Sequence, residues 1–543
     1  MPSAASDLSE ALPPAAPMGP TSAPPSAPIP WLGLCGVLLG TFISTLTGRL
    51  SVFGLNDVRG AIHAGFDEGA WITTAFTVGQ MLITPIAVWT GSIFGPRLVL
   101  MLAALAFALS QLLTPFAQNL QVLLTLQFIS GLGSGCFIPL ALSFILRNMP
   151  MPYWAYGIAL YALNLELSLN ISASLEGWYI DNLNWHWIFW QNVPLALGMA
   201  ACVFWGAKSL PPPQVIHRDT YGLLSCGTGF ALIYAAVDQG NRVDWTNSGL
   251  FWGLTLAGLL MLVCFVIHEM TTEFPWLDFK AAFRWPMPLL LSNVAALRLC
   301  ILTTAYLIPY YLSGVRGYRA LQVGDTLIWI AAPQLLVCAL AAYMLRRMDP
   351  RIVAVAGLCL VIASFWSIAW TLTPFWGSDQ FLISQLMQAV GQSFTLSGLV
   401  FIGVLNMRPK DALTFGACLQ IARLFGGEVG SAFVATEARV REQHASNLLG
   451  QHIQVADPVV QERLLTFGSL LSRSGYQTKA ATGLLGNTVR TMATTQATID
   501  TYAACSLLML LALFSVVVLL PTPPRTPASH LPLFKRNRIG RGF

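Results

Sequence analysis

The chain has 543 residues, of which 55% are hydrophobic and only 10% are charged. Soluble domains carry about 25% charged residues, so this composition excludes an ordinary soluble globular protein and indicates a chain surrounded largely by lipid. The formal net charge of +5 is too small and too dispersed along the chain to predict binding of nucleic acid.

The N-terminal residues 1–29 are rich in Pro, Ala and Ser and contain no Lys or Arg. This composition predicts a disordered tail, and it differs from a secretory signal, which starts with basic residues. The first apolar segment, from Trp31 to about Leu55, is therefore predicted to be a retained membrane helix.

Fourteen apolar segments, each of about 20 residues or slightly more, follow one another along the chain. Their approximate centres are residues 43, 82, 108, 134, 165, 198, 230, 258, 301, 334, 362, 393, 425 and 511. The ten cysteines all fall within these segments and lack the spacing of metal ligands, so we expect neither disulfides nor a metal site. The sequence thus predicts an all-α polytopic membrane protein.

The distribution of Lys and Arg predicts the orientation in the membrane. If both termini lie inside, sixteen Lys and Arg residues fall in inner loops and the C-terminal tail, against four in the short outer loops. We therefore expect both termini in the cytoplasm.

Two further segments stand apart from the spans. Residues 438–499 have mixed charge and favour helix, so they are predicted to form an outer amphipathic cap or a partner surface. The basic tail 522–543 has Lys and Arg but no acidic residue, and we expect it to lie against anionic lipid of the inner leaflet.

The span centred near residue 165 carries four polar side chains, Asn164, Glu166, Asn170 and Glu176. Carboxylates are expensive in hydrocarbon, so they normally face a partner or a wet cavity on an ion or substrate path. Glu166 and Asn170 share a helix face, whereas Glu176 points about 80° away and lies about 15 Å further along the axis. The span is therefore predicted to be the working helix of a membrane transporter, with two separate carboxylate levels.

Four stretches resemble the fourteen-spanner drug:proton antiporters, the EmrB/QacA subfamily of the major facilitator superfamily. They are WHWIFWQNVPLAL at 185–197, VDQGNRVDW at 237–245, WITTAFTVGQMLITPIAVWTGSIFGPR at 71–97 and QIARLFGGEVGSAFVAT at 420–436. The resemblance covers about residues 31 to 521 in the family's order. It implies an N-terminal bundle of spans 1–6 (30–208), two inserted spans (209–268) and a C-terminal bundle of spans 9–14 (269–521). It also implies substrate binding near the midplane, alternating exposure by rocking of the halves, and no cofactor.

The chain departs from the family pattern at its charged positions. Gln127 stands where the family has an Arg in span four, Glu428 replaces the usual Ser of span thirteen, and Arg49 lies close to the usual acidic position of span one. Glu176 interrupts the Gly-rich motif of span five but leaves Gly177 in place. The buried charges are therefore expected to have moved between helices.

Six ionisable residues lie well inside the spans, namely Arg49, Glu166, Glu176, Arg298, Arg423 and Glu428. Three positive and three negative charges suggest mutual neutralisation, since an unpaired buried charge costs several kcal/mol. Counting about 1.5 Å per residue from the inner face places Arg49 at a depth between those of Glu166 and Glu176, so it could serve either carboxylate.

Three roles remain open for these charges: proton coupling, a static ion pair that fixes helix packing, and direct recognition of a charged substrate. The proton-coupling hypothesis assigns the proton to Glu166, with Glu176 as a further candidate and Arg49 tuning proton affinity. Substrate-cavity candidates are Asn164, Asn170, Gln127, Tyr161 and Arg298. Structural or gating candidates are Gly131, Gly177, Gly426 and Gly427, because small residues allow tight helix contact. Arg423 and Glu428 are further candidates for these roles.

The leading function is proton-coupled export of small amphipathic or toxic compounds, with a periplasmic adaptor as a possible partner. The alternatives are a dedicated metabolite or siderophore transporter of the same fold, and a transporter-like receptor that no longer cycles. The sequence contains no HExxH or GxSxG motif and no paired catalytic Asp arrangement, so an enzyme is not expected.

Overall fold

The computed structural model describes residues 30–53, 55–207, 219–273, 275–277, 279, 285–407, 412–454, 457–473 and 479–520. Regular structure in these ranges is helical, with no β-strand, in agreement with the predicted fold class. The two predicted tails, 1–29 and 522–543, lie outside the described residues. So do several basic residues of the orientation argument, namely Lys208, Arg218, Lys280, Arg284, Arg408, Lys410, Arg525, Lys535, Arg536, Arg538 and Arg541.

The first eleven helices cover the N-terminal bundle and the two inserted spans of the prediction. They are α1 (Trp31–Phe53), α2 (Leu55–Ala61), α3 (Phe66–Ile93), α4 (Pro96–Leu113), α5 (Leu120–Gly135), α6 (Phe137–Asn148), α7 (Trp154–Asn182), α8 (Trp187–Trp190), α9 (Asn192–Gly206), α10 (Thr220–Gly240) and α11 (Gly249–Thr271). Polar caps start several of them; the Asn119 side chain, for example, accepts a hydrogen bond from the Val122 N–H at the start of α5.

The remaining helices belong to the predicted C-terminal bundle. They are α12 (Met287–Arg316), α13 (Ala320–Arg347), α14 (Pro350–Thr371), α15 (Leu382–Asn406), α16 (Ala412–Gln451), α17 (Pro458–Arg473) and α18 (Lys479–Phe514), which continues into a π-helical turn at Ser515–Leu519. The helices α16, α17 and α18 therefore include most of the segment 438–499, while the described residues 452–454 and 457 between α16 and α17 are not helical.

Thirteen helical segments within the described ranges are long and apolar enough to cross a membrane. They coincide with thirteen of the fourteen predicted spans. The remaining predicted span, centred near residue 425, is the first half of α16, which is a 40-residue helix too polar to meet the same measure.

The two predicted bundles meet along a few helix pairs. Helix α7 packs against α13 and α15, while α16 packs against α6 and α3. Gly177 brings α7 close to α13, because a Cβ atom at this position would lie 2.6 Å from Cα of Leu321. Helices this close contact each other through their backbones, and little space remains between them for side chains.

The inserted helices occupy a specific place beside this interface. Helix α10 packs against α11 and also against α3 and α16, one helix from each predicted bundle. At Gly227, a Cβ atom would lie 2.5 Å from the carbonyl oxygen of Leu82, so α10 and α3 touch through their backbones. Helix α10 therefore forms part of the wall around the protein interior, beside both predicted bundles.

The two ends of the molecule differ in their packing. We call the end at which α1 begins the inner end, and the opposite one the outer end. Near the inner end, Gly416 of α16 lies against Pro139 of α6, and Cys338 of α13 packs with Ala159 and Leu163 of α7. In the outer half, α1, α3, α10, α12 and α16 enclose a cavity.

Candidate functional site

A cavity of about 410 Å³ with a polar, charged wall lies in the interior of the protein. Its wall contains four arginines and two acidic residues, and we call it the arginine cavity after Arg49, Arg242, Arg298 and Arg423. The lining residues are Ser44, Thr45, Gly48, Arg49, Leu55, Thr73, Thr77, Gln80, Tyr234, Asp238, Arg242, Arg298, Leu302, Ala305, Tyr306, Pro309, Tyr310, Arg423, Leu424, Gly427, Glu428 and Ser431.

The two most buried arginines of the cavity have neutral surroundings at close range. Arg423, 3% exposed, donates to Oε1 of Gln420 at 2.9 and 3.2 Å and to Oγ1 of Thr45 at 3.2 Å. Arg298, 8% exposed, lays its side chain across Gly427 of α16, whose built Cβ would lie 3.0 Å from Cγ of Arg298. Neither guanidinium has a carboxylate within 4 Å in the part of the chain that the structure describes.

The two acidic residues of the cavity, Asp238 and Glu428, are neighbours and interact with each other. Asp238 also accepts from Thr74 and from Gln239, while Glu428 accepts from the Tyr234 hydroxyl at 2.7 Å. Both acidic side chains of the cavity wall are therefore engaged within the protein.

Arg242 lies in the loop between α10 and α11, outside the spans, and forms the outer rim of the cavity. Partial burial lowers the pKa of this guanidinium from its ordinary value, and the negative charge of Asp238 acts in the opposite direction. Its ring contact is with Phe66, whose centroid lies 5.3 Å from the guanidinium carbon. An arginine remains charged under such conditions, so the rim is positive.

Glu166 lies in a second polar cluster, which joins α7 to α13 and α15. The carboxylate is fully buried and accepts from the Ser393 hydroxyl at 2.9 Å through Oε2. One turn along α7, Asn170 donates to Gln334 at 3.3 Å and to Gln392 at 3.2 Å. We call these five residues the amide network; it connects helices of the two predicted bundles.

The amide network and the arginine cavity are electrically linked. Arg298 and Glu166 interact through their opposite charges, although they are not in hydrogen-bonding contact. The same arginine experiences repulsion from Arg423 and Arg49. Arg298 therefore lines the arginine cavity and at the same time interacts with the buried carboxylate of Glu166.

The other predicted site residues lie outside both clusters. Glu176 is fully buried in α7, and its carboxylate oxygens have no hydrogen-bond donor among the described residues. Gln127 donates to Thr114 at 3.4 Å within the first half, and Asn164 donates to the carbonyl of Leu160 at 2.8 Å. Tyr161 is fully buried. The structure thus brings together Arg49, Arg298, Arg423, Gly427 and Glu428, and separately Glu166 and Asn170.

The predicted small-residue positions are contact points between helices. A Cβ at Gly131 of α5 would collide with the Phe76 carbonyl of α3. A Cβ at Gly426 of α16 would lie 2.5 Å from Cα of Ala295 in α12.

Sequence reasoning missed Tyr234 and Asp238 on α10. The stretch VDQGNRVDW at 237–245 supports the family resemblance, but Asp238 is not among the residues that the sequence predicts for the site. In the structure α10 continues to Gly240, so Asp238 belongs to the helix and lines the cavity. An acidic residue within one turn of the helix end was the signal that could have identified it.

Comparisons with known proteins agree with this architecture. The family model described as Major Facilitator Superfamily matches residues 37–431. Multidrug export protein EmrB of Haemophilus influenzae is 25% identical over 427 residues, covering 78% of this chain and 83% of that protein. Probable multidrug resistance protein EmrY of Escherichia coli is 25% identical over 442 residues, covering 81% and 86%.

A solved structure is similar in fold over nearly the whole length. The proton:xylose symporter XylE, bound to 6-bromo-6-deoxy-D-glucose, superimposes with a TM-score of 0.58 at 11% identity, covering 92% of this chain and 97% of that one. At this level of identity the likeness concerns the fold alone.

Proposed function

The chain belongs to the major facilitator superfamily as a divergent relative of the EmrB-type transporters, and from that premise we propose that it exports small amphipathic or toxic compounds in exchange for protons. The observation that carries the proposal is the arginine cavity in the outer half of the molecule. It lies between helices of both predicted bundles, while the inner half is closed by helix contacts. Such an arrangement is what one state of an alternating-access carrier requires.

We further propose that both termini lie in the cytoplasm, which places the cavity on the periplasmic side of the bacterial inner membrane. The excess of Lys and Arg in the inner loops and the C-terminal tail supports this orientation. The outer helical segment, 438–499, would then be available to a periplasmic adaptor. Helix α17 supports this role because Val459 and Leu465 are 65% and 74% exposed. Copurification of an adaptor that is lost on deletion of α17 tests the assignment.

Glu166 is the carboxylate that we propose for proton coupling. It lies on α7, and its donor Ser393 lies on α15 in the other half, so separation of these helices breaks their hydrogen bond. An ionised carboxylate is costly in a closed, dry interface, whereas a protonated one is not. Proton binding at Glu166 is therefore linked to closure of the interface between α7 and α15.

Efflux of a dye from energised vesicles tests this function. A protonophore should abolish efflux by the unmodified protein. Glu166→Gln should retain downhill dye flux but lose the acceleration by an imposed pH gradient, because the amide cannot take up a proton. The matched control is Glu462→Gln on α17, which changes an exposed carboxylate and should behave like the unmodified protein. If efflux by the Glu166→Gln variant still depends fully on the pH gradient, Glu166 is not the residue that couples transport to protons.

A further inference from the structure

We infer that the arginine cavity binds an organic anion: a carboxylate or sulfonate group attached to an apolar body about the size of two fused rings. This inference rests on the proposed function, since it names the substrate class of the same cavity. Four arginines line the cavity, against one acidic pair. The cavity is therefore positive even when both acids are ionised.

The charges of Arg298 and Arg423 are not paired at close range. Neither arginine has a carboxylate within 4 Å among the described residues. The acids of the cavity wall are engaged with neutral donors, Asp238 with Thr74 and Glu428 with Tyr234, and Glu166 acts on Arg298 only from beyond hydrogen-bonding distance. A buried charge without a close counterion is unfavourable, so a ligand that supplies the counterion gains binding energy there.

The shape of the cavity defines the remainder of the ligand. The cavity wall also contains apolar and aromatic side chains, with Leu302, Tyr306 and Leu424 among its members. A volume of about 410 Å³ falls in the range of small-molecule sites. The ligand that fits this lining has one anionic group for Arg298 and Arg423 and an apolar part for the apolar and aromatic side chains.

Binding to the full-length protein in nanodiscs tests the inference without requiring transport. Three probes share one apolar body: 2-naphthylacetate is anionic, 2-naphthylacetamide is neutral and 2-naphthylethylammonium is cationic. We expect the anion to bind at least about tenfold more tightly than either of the others, as one charge-assisted hydrogen bond suffices for that ratio. High salt should weaken binding of the anion. Equal affinity for the three probes, or preference for the cation, overturns the inference.

Two variants locate the charge that is responsible. Arg298→Gln should lower the affinity for the anion about tenfold and leave that for the amide within about twofold. The matched control, Arg347→Gln, removes an exposed arginine of α13 that lies over Tyr343 and does not line the cavity, so its affinities should be unchanged. A uniform loss for anion and amide in Arg298→Gln would contradict a charge-specific role. If that variant does not fold, the ranking of the three probes on the unmodified protein still decides.

The inference and the proposed function can fail separately. Preference for the anion together with dye efflux that ignores a protonophore would reject proton-driven export and keep the anion site. Protonophore-sensitive efflux together with preference for the amide or the cation would keep the exporter and reject the anion site.

Discussion

At the scale of single residues, the charged side chains of the interior differ in whether they contact a group of opposite charge. Asp238 and Glu428 interact with each other, whereas Arg298 and Arg423 contact no carboxylate at close range in the described ranges. Equal numbers of positive and negative residues in the spans suggest mutual neutralisation. Glu166 and Glu176 are buried outside the arginine cavity, so any neutralisation by these two carboxylates acts over a longer distance than an ion pair.

The acidic pair leads to a prediction about anion affinity. The double variant Asp238→Asn with Glu428→Gln keeps side chains that can hydrogen-bond but removes the negative charge of the pair. We expect 2-naphthylacetate to bind roughly three- to tenfold more tightly, because the pair no longer repels it across the cavity. Titration in nanodiscs measures the change, with Glu462→Gln as the control for loss of a remote carboxylate. Weaker binding of the anion would show that the pair helps to hold the ligand.

Residue types and helix periodicity were enough to identify Glu166, Asn170, Arg298 and Arg423 as interior polar residues. Their partners were not predictable, since the contact of Glu166 with Ser393 joins residues that are 227 positions apart. No local pattern encodes such a pair. The role of Asp238 was also missed. The sequence does not show that helix α10 extends to Gly240 and thereby places Asp238 in the cavity wall.

At the scale of helices, the spans were predictable because a membrane requires about 20 apolar residues in succession. Helix α16 shows the limit of that rule. It carries Gln420, Arg423 and Glu428, and its polar content keeps it below the hydropathy measure of a span. The count of apolar segments nonetheless places a span near residue 425, and the resemblance of residues 420–436 to a family segment agrees with it.

Close helix contact gives a prediction for Gly131. Gly131→Ala places a methyl group against the Phe76 carbonyl, and a backbone atom cannot move aside as a side chain can. We expect a loss of stability of at least about 1–3 kcal/mol, typical of overpacking, and a clearly lower thermal unfolding temperature in detergent. The control is Gly253→Ala in α11, where nothing lies within 4 Å and the added methyl should be neutral or favour the helix by up to about 1 kcal/mol. Equal unfolding temperatures for the two variants would mean that α3 and α5 are not packed as described.

At the scale of the whole molecule, two six-helix bundles and two inserted helices followed from the family resemblance, but the place of the inserted helices did not. Helix α10 packs on one helix of each bundle and supplies Tyr234 and Asp238 to the cavity. Rocking of the bundles must therefore change the contacts of α10 as well. Its backbone contact with α3 at Gly227 suggests that α10 moves with the first bundle.

Transport requires that the closed inner end can open, and Cys338 offers a way to prevent it. This cysteine of α13 packs beside Ala159 of α7. The test uses Ala159→Cys in a chain that retains Cys338 and lacks the other native cysteines. A short bis-methanethiosulfonate, which forms a disulfide with each thiol and releases methanesulfinate, should join the two helices and stop dye efflux. Reduction should restore the rate, because only the motion between the bundles has been blocked.

The natural pair Cys35 and Cys202 supplies the control for this cross-link. These residues belong to α1 and α9, neighbouring helices of the same bundle, so joining them should leave efflux unchanged. Each single-cysteine chain, treated with the same reagent, reports any effect of modification alone. If the protein cross-linked between Ala159→Cys and Cys338 still shows full efflux, α7 and α13 do not separate during transport. Such a result would contradict rocking of the bundles about this interface.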